Sequence, residues 1–365
     1  MKILHIIDTL ARGGAERLLV MVLPELVRQG HQVAVAVRGG PYDLQPELEK
    51  AGVPVIHLPK RYRWNLVAGA RDISRAMPEA DILHAHLYFP TLYTGLSRLL
   101  GFTQARTCAT FHNLAYAGAN KDGIKLQLRK KLARSIYPRG IQAKLAVSQA
   151  VADHYRQNLY LDNVDVIYNP IDLAVIDAIK TVPRAPDAPL HVVLPGRLVP
   201  EKGHTDLIAA LNDPRLEGQS LEITFVGHGV MHTELKGIAE STPFPLVITG
   251  DLDHKSFLTV MGTADIVITP SRYEGFGLTA LEAMSLSKPL IASTAGGLPE
   301  VVGDTGRLVP VGDIKAIADA IVDFSQDKSL REAMGKASRA RSEAEFGLST
   351  KVSQLTKAYA ALMHV

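Results

Sequence analysis

Several features that mark common protein classes are scarce in this sequence. It contains one cysteine, Cys108, which excludes a disulfide framework and any zinc site built from cysteines, and which favours a reducing compartment. No stretch approaches the roughly 18 apolar residues that a membrane-spanning helix needs, and the apolar run at the N-terminus is too short for a signal peptide. A net charge of +3 is too small to indicate a nucleic-acid-binding surface. We therefore expect a cytoplasmic protein that binds no nucleic acid.

The composition that remains is typical of globular domains. The chain has 365 residues, of which 47% are apolar and 21% charged, with no low-complexity segment. At roughly 150 residues per domain, this length predicts two domains. The charge is divided unevenly, because residues 1–175 carry a net +8 and residues 176–365 a net −5. Either this is ordinary variation between domains, or the N-terminal half faces an anionic partner.

Short apolar runs alternate with segments of helical periodicity along almost the whole chain. Seven such runs precede residue 170 and six follow residue 189, which predicts parallel sheets covered by helices on both faces. We therefore predict an α/β protein of two doubly wound, Rossmann-like domains, whose ligand sites at the strand ends face a central cleft. A proline-rich stretch at 180–190 has the composition of a linker. The predicted boundaries are 1–175 for the N-terminal domain, 176–190 for the linker, 191–348 for the C-terminal domain and 349–365 for a final helix that packs back on either domain.

Two glycine-containing loops after predicted strands are candidate anion sites. In Arg12-Gly13-Gly14-Ala15-Glu16, a glycine-rich turn leads into a helix, so unpaired amides and the helix dipole point the same way. Its spacing does not match the dinucleotide-binding pattern G-x-G-x-x-G, and a plain tight turn explains it equally well. The loop from Pro195 to His204 carries Arg197 and Lys202, whose planar fork and compact charge both suit phosphate oxygens. Two solvated surface charges are the alternative explanation.

A third loop combines glycines with two carboxylates. Residues 264–284, ADIVITPSRYEGFGLTALEAM, predict a strand, a glycine-rich loop containing Glu274, and a helix containing Glu282. The amides of Phe276, Gly277 and Leu278 would face an anion at the helix start, and the carboxylates would accept hydrogen bonds from sugar hydroxyls. A capping glutamate and an exposed helical glutamate are the simpler explanation of either residue alone.

Together these blocks resemble the retaining glycosyltransferases of family 4, the glycosyl transferases group 1, which have the two-domain GT-B fold. The resemblance extends over the whole chain. Its most specific parts are Gly196-Arg197-Leu198 with Lys202-Gly203, and the pair Glu274 and Glu282 with seven residues between them. The other matching blocks are Gly13-Gly14-Ala15-Glu16, residues 81–86, Thr110-Phe111-His112, Val147-Ser148, residues 168–172, residues 226–229 and residues 296–300. Ser287 departs from the family pattern, in which a glycine often precedes Lys-Pro, and this puts no catalytic residue in doubt.

The resemblance implies a function and a set of roles. A sugar would pass from a nucleotide-sugar, by preference a UDP-sugar, to a hydroxyl of a carbohydrate or lipid-linked acceptor in polysaccharide or glycolipid assembly, with retention of anomeric configuration. Arg197 and Lys202 would hold the diphosphate and stabilise the charge that develops on it, so no metal and no other cofactor is implied. The remaining implied roles are Glu274 at the hydroxyls of the donor sugar, the amides of Phe276, Gly277 and Leu278 at the phosphates, Glu282 at the ribose, Gly14 at the diphosphate from the opposite domain, and His112 beside the reacting sugar. Arg197, Lys202, Glu274 and His112 are the predicted catalytic residues.

Other functions stay open on these residues. His84 and His86 share one face of a predicted strand and, with His112 from the next strand, offer the ligands of a zinc-dependent hydrolase. A hydrolase of this kind would not explain the charged loops. A nucleotide-sugar epimerase or a sugar phosphorylase would use the same two-domain plan. A non-catalytic protein that binds a sugar nucleotide is a further alternative, and the intact set of charged residues speaks against it.

The N-terminal half also contains a strongly basic segment. Residues 121–139, KDGIKLQLRKKLARSIYPR, include seven cations and one acid, and the apolar residues Ile124, Leu128, Leu132 and Ile136 recur every four positions on one helix face. One interpretation is a surface helix that docks on its own domain through this stripe. The other is a contact with an anionic membrane surface or a phosphate-bearing, lipid-linked acceptor, to which residues 60–64, KRYRW, would add a second basic patch. The cations assigned to that face are Lys121, Lys125, Arg129, Lys130, Lys131 and Arg134.

Overall fold

The structure is a computed structural model that describes residues 1–61, 63–117, 123–181, 184–185, 187–240 and 242–364. The chain divides into two compact units, the first formed by Met1–Pro170 with Leu348–Val365 and the second by Ile171–Gly347. This division precedes the predicted linker at 176–190, because the short helix Leu173–Asp177 belongs to the second unit.

Strands and helices alternate as far as the strand Arg307–Val309, after which three helices follow one another. The strands are β1 (Lys2–Ile7), β2 (Gln32–Val37), β3 (Val55–His57), β4 (Ile82–His86), β5 (Arg106–Phe111), β6 (Ala143–Ala146), β7 (Val164–Val166), β8 (Leu190–Pro195), β9 (Leu221–Val226), β10 (Leu246–Ile248), β11 (Ile266–Thr269), β12 (Leu290–Ser293) and β13 (Arg307–Val309). The helices are α1 (Gly14–Arg28), α2 (Gln45–Lys50), α3 (Leu66–Ala76), α4 (Tyr88–Leu99), α5 (Ile124–Gly140), α6 (Gln149–Leu159), α7 (Leu173–Asp177), α8 (His204–Ala210), α9 (His232–Ala239), α10 (His254–Gly262), α11 (Leu278–Ser285), α12 (Leu298–Val302), α13 (Ile314–Gln326), α14 (Lys328–Phe346) and α15 (Leu348–Met363).

Each unit contains one parallel sheet of doubly wound topology, as the alternating pattern predicts. The first sheet has the order β3-β2-β1-β4-β5-β6-β7, and the second has the order β10-β9-β8-β11-β12-β13. The central strands β1, β4, β8 and β11 are almost entirely buried, which explains why their sequences are continuous apolar runs. The winding direction reverses between β1 and β4 and again between β8 and β11, and ligands bind at such switch points, beyond the carboxyl ends of the strands.

The last helix belongs to the first unit, although the chain reaches it from the second. α15 buries Val352, Leu355, Tyr359 and Leu362 in the core beneath the first sheet, where they join residues of α1 and β1. None of the helices in the described part of the chain is both long and apolar enough to cross a bilayer.

Candidate functional site

The strongest cluster of predicted residues lies in the second unit, in the loops that follow β8 and β11. Lys202 ends a short 3-10 turn after β8, and its Nζ donates to Oε2 of Glu274 over 2.6 Å. The two side chains are each 17% exposed, so the ion pair is largely shielded from water. Ser271 Oγ lies 3.5 Å from the same carboxylate oxygen. The structure thus joins two motif residues that are 72 positions apart, at the switch point of the second sheet.

A second contact, which sequence analysis missed, ties the same two loops together. Arg272 donates from Nη2 and Nε to the two carboxylate oxygens of Asp206, over 2.6 and 3.0 Å. Its backbone amide also donates to the carbonyl oxygen of Glu201 over 2.7 Å. A bidentate pair of this kind fixes direction as well as distance. No spacing rule signals it, because Asp206 and Arg272 are 66 residues apart.

Two glycines let the backbone of these loops pack closely. Gly203 has a φ of +73°, and a Cβ there would lie 2.1 Å from the carbonyl oxygen of Pro270. Gly277 has a φ of +107° at the start of α11, and a Cβ there would lie 2.6 Å from Cδ2 of Leu298. Any side chain would therefore force neighbouring groups apart or strain the backbone. This explains why glycine occupies both motif positions.

The remaining predicted donor residues flank this cluster. Glu282 lies in α11 with 8% exposure, and its Oε1 makes a 2.7 Å hydrogen bond with Nε2 of His254, a partner that the motifs did not signal. The side chain of Phe276 is buried against Phe346, so this residue can offer a ligand its amide rather than its ring. Arg197 is exposed on the loop after β8.

In the first unit, four histidines share one face of the central strands. His5 of β1 pairs in register with His84 of β4, and His86 lies two positions further along the same face. His86 is in register with Thr110 of β5, and His112 follows two positions later. Because side chains alternate between faces with a period of two, this register brings all four imidazoles together. His5 was not predicted, although its position on β1 has the parity of the apolar residues Ile3 and Ile7.

Burial keeps these imidazoles neutral. It lowers the pKa of His5 to about 3 and that of His112 to about 4. The pKa values of His84 and His86 are also far below their ordinary value, mainly through burial and further through the neighbouring imidazoles. At neutral pH each ring therefore carries one N–H and one lone pair.

The histidine triple proposed for zinc does not assemble as predicted. His84 makes a 2.7 Å hydrogen bond with Oγ1 of Thr110 through Nε2 and a 2.5 Å hydrogen bond with the hydroxyl of Tyr359 through Nδ1. The nitrogens that come within 4.8 Å of one another are those of His5, His84 and His86, not the predicted set with His112. Since hydroxyl groups engage both nitrogens of His84, metal binding through either nitrogen would require one of these hydrogen bonds to break.

The glycine-rich turn after β1 presents a carboxylate. Gly13 caps α1, which begins at Gly14, and a Cβ on Gly13 would lie 2.3 Å from Oε2 of Glu16. The hydroxyl of Thr9 donates to Oε1 of the same side chain over 3.1 Å. Glu16 thus folds back over the helix start, as the third residue of a helix does in a capping box. The carboxylate therefore occupies the space that a side chain at Gly13 would need.

The basic segment forms α5, but only part of it docks as the apolar stripe predicts. Ile136 is buried, whereas Ile124 and Leu128 are 88% and 58% exposed. Lys125 and Lys131 are exposed as well. In contrast, Arg129 stacks 4.1 Å from the ring centroid of Tyr88 and Lys130 lies 5.7 Å from that of Tyr116, so these two cations pack on their own unit. Lys121 and Tyr62, which belong to the predicted basic patches, lie outside the described residues.

Comparison with known proteins covers almost the whole chain. The model of the family "Glycosyltransferase Family 4" matches residues 12–175, and that of "Glycosyl transferases group 1" matches residues 175–341. A glycogen synthase of Mycobacterium tuberculosis (strain CDC 1551 / Oshkosh) is 32% identical over 209 residues, which are 55% of this chain and 49% of that enzyme. The chain therefore spans about half the length of this relative.

Two further matches extend over nearly full lengths. Phosphatidyl-myo-inositol mannosyltransferase of Mycolicibacterium smegmatis is 28% identical over 324 residues, which are 86% of this chain and 81% of that protein. The crystal structure of HepE from Anabaena in complex with UDP and glucose matches with a TM-score of 0.83 at 20% identity, over 99% of this chain and 100% of that one. The likeness confirms the predicted GT-B fold.

One buried histidine next to Lys202 leads to a prediction about stability. His204 is 1% exposed, packs on Phe225 and has no hydrogen-bond partner on either ring nitrogen among the described residues. Burial, aided by Lys202, lowers its pKa to about 4. Because the unfolded chain, with a pKa near 6.5, then binds more protons, stability is full above pH 6.5 and falls as the pH decreases towards 4.

We expect His204→Leu to remove this pH dependence. Between pH 8 and pH 5 the free energy of unfolding should fall by about 2 kcal/mol less in the variant than in the wild type, the amount that one such group contributes. Urea unfolding at a series of pH values measures the difference. Parallel curves for the two proteins would show that His204 titrates normally in the folded state.

Proposed function

The chain belongs to glycosyltransferase family 4, the glycosyl transferases group 1, and from this premise we propose that it transfers a sugar from a nucleotide-sugar to a hydroxyl acceptor, with retention of anomeric configuration and without a metal ion. The observation that carries the proposal is the Lys202–Glu274 contact at the switch point of the second sheet. It unites, at a ligand-binding position of the fold, a cation suited to phosphate and a carboxylate suited to sugar hydroxyls.

The chemistry of this pair explains how a donor is held. An ammonium group has three N–H donors, and Glu274 uses one of those of Lys202, so the others can bind diphosphate oxygens. The fork of Arg197 adds a second cation from the same loop. The amides of Phe276, Gly277 and Leu278 at the start of α11 donate to the phosphates. Glu282, oriented by His254, accepts from the ribose hydroxyls.

In the proposed reaction the acceptor attacks C1 of the sugar from the face that the diphosphate leaves. The bond from C1 to the phosphate oxygen breaks, the bond from C1 to the acceptor oxygen forms, and the acceptor proton passes to the departing phosphate. Lys202 and Arg197 stabilise the negative charge that develops on the diphosphate, as a divalent metal ion does in other enzymes. His112 lies beyond the carboxyl end of β5 and contacts the reacting sugar in this proposal.

The substrates are proposed by analogy with the relatives. HepE binds UDP and glucose, and this supports a UDP-sugar as the donor. The mannosyltransferase relative acts on phosphatidyl-myo-inositol, and this supports a lipid-linked acceptor. We propose that such an acceptor is met at an anionic membrane surface, at the cytoplasmic face, through the exposed start of α5. There the apolar side chains of Ile124 and Leu128 are exposed close in sequence to the exposed cations Lys125 and Lys131, and apolar and cationic side chains are the groups that contact an anionic lipid surface.

We expect Lys202→Ala to lower kcat/KM by about 10²-fold or more, the scale of removing one preorganised charge contact in a closed site. The assay follows release of nucleoside diphosphate from a panel of nucleotide-sugars, with and without candidate acceptors. Lys236→Ala, which removes an exposed lysine of α9 in the same unit, is the control and should behave as the wild type.

Two results would contradict this proposal. A folded Lys202→Ala protein with near-normal turnover would exclude the assigned role. Donor consumption that requires no acceptor and yields an epimer, or that requires orthophosphate, would replace transfer by epimerase or phosphorylase activity.

We expect the wild type to sediment with vesicles of anionic lipid at low salt and to be released at high salt. Each lysine near such a surface contributes about 1 kcal/mol, which salt screens. Lys125→Glu with Lys131→Glu, and separately Ile124→Ser with Leu128→Ser, should each reduce binding, whereas Lys236→Glu should not. If the wild type fails to bind anionic vesicles at low salt, a water-soluble acceptor replaces the lipid-linked one.

A further inference from the structure

Three of the histidines in the first unit form an unbroken hydrogen-bonded chain. Nδ1 of His5 lies 2.9 Å from Nε2 of His86, and Nδ1 of His86 lies 2.9 Å from Nε2 of His112. His5 and His86 are 1% and 2% exposed, whereas His112 is partly exposed. The chain therefore connects a buried ring of β1 to a ring at the edge of the sheet where strands end.

Neighbouring groups hold the middle of this chain in place. The ring of His84 stacks on that of His86 with centroids 4.4 Å apart, and hydrogen bonds to Thr110 and Tyr359 fix His84 in turn. His86 therefore cannot turn without disturbing β5 and α15. Its two nitrogens face His5 and His112 in a fixed geometry.

Counting protons shows that the two ends of the chain are coupled. Three neutral imidazoles have three N–H groups and three lone pairs, and the two internal hydrogen bonds use two of each. One N–H and one lone pair remain for the two end atoms, Nε2 of His5 and Nδ1 of His112. Whichever end holds the proton, the other end must hold the lone pair.

At the buried end of the chain, Nε2 of His5 is expected to hold the lone pair rather than the proton. Nε2 of His5 has no hydrogen-bond partner among the described residues, and His5 lines a cavity of about 40 Å³ together with Lys351. An orphaned buried N–H is rarer in proteins than an under-satisfied acceptor. With the lone pair on His5, each ring donates from Nδ1 towards the next.

We propose that His5 and His86 are positioning residues that fix the proton of His112 on Nδ1. His112 then presents an N–H donor to an oxygen of the substrate and cannot act as a base through that nitrogen. The inference rests on the proposed function only for the identity of that substrate, because the chain of hydrogen bonds exists without a ligand. It also accounts for the repeated histidines of β4 without a metal ion.

The test is the tautomer of His112, observed by long-range ¹H–¹⁵N spectra of protein labelled with ¹⁵N in its 13 histidines. The protonated and bare ring nitrogens have well-separated shifts, and the signals of His112 are identified by their loss in His112→Gln. We expect the Nδ1–H form in the wild type at neutral pH. An Nε2–H form of His112 in the wild type would overturn the proposal.

A matched pair of variants shows whether His86 is the cause. His86→Asn keeps an N–H near the position of Nδ1 that can donate to His112, and we expect it to preserve the Nδ1–H form. His86→Leu removes the donor and releases the ring of His112, which can then turn so that Nε2 reaches solvent, and we expect a mixture of the two tautomers in place of the Nδ1–H form alone. An unchanged tautomer in folded His86→Leu would overturn the assignment. If that variant does not fold, the tautomers of His112 in the wild type and in His86→Asn still test the proposal.

Kinetics separates positioning from general structural damage. We expect kcat to fall in His86→Leu and to recover in His86→Asn, while KM for the nucleotide-sugar changes little in either. A loss that is the same in both variants would show a structural role and contradict the proposal. Because the tautomer is measured without substrate, failure of this inference leaves the proposed function intact, and absence of sugar transfer in a protein with the expected tautomer would contradict the proposed function alone.

Discussion

The candidate donor site depends on an ion pair between two loops, Lys202 and Glu274, in the second unit. Each charge is largely removed from water, and such burial costs free energy that the mutual attraction only partly offsets. The pair is therefore weak as a source of stability, and its value lies in orientation. Asp206 and Arg272 hold the two loops in register, and Gly203 allows them to pack against each other. In the proposed reaction a donor would meet a cation and a carboxylate that are already in place, so little reorganisation would be needed as charge develops.

In the first unit, the clustered buried histidines are neutral imidazoles rather than a charged pair. His5, His84 and His86 lie among apolar residues of β1, α1 and α15, where a charged imidazole would be costly. They remain there because each nitrogen except Nε2 of His5 has a partner, either another imidazole or a hydroxyl. α15 contributes one of these hydroxyls through Tyr359, which makes the last helix part of the histidine cluster as well as of the core. The histidine cluster thus depends on residues that are far apart in sequence.

The fold could be predicted from the sequence because it follows from a local pattern of apolar and helical segments. Continuous apolar runs alternating with amphipathic helices require parallel sheets, and the loops with Arg197, Lys202 and Glu274 lie after strands, where that topology binds ligands. Sequence analysis could not predict contacts that depend on the register between distant strands and loops. His5 is hidden in an apolar strand, and the Asp206–Arg272 pair has no spacing signature. Periodicity likewise marked Ile124 and Leu128 as part of a docked stripe, although both are exposed in the structure.

The configuration of the product, measured without free metal ions, distinguishes metal-free transfer with retention from other reactions of a nucleotide-sugar. The reaction is run with a nucleotide-sugar of known anomeric configuration in excess chelator, and the anomeric proton of the product is followed by ¹H NMR. We expect a product with the configuration of the donor, formed at the same rate with and without the chelator. A product of inverted configuration, or product formation that stops in chelator and returns with magnesium or manganese, would contradict metal-free transfer with retention.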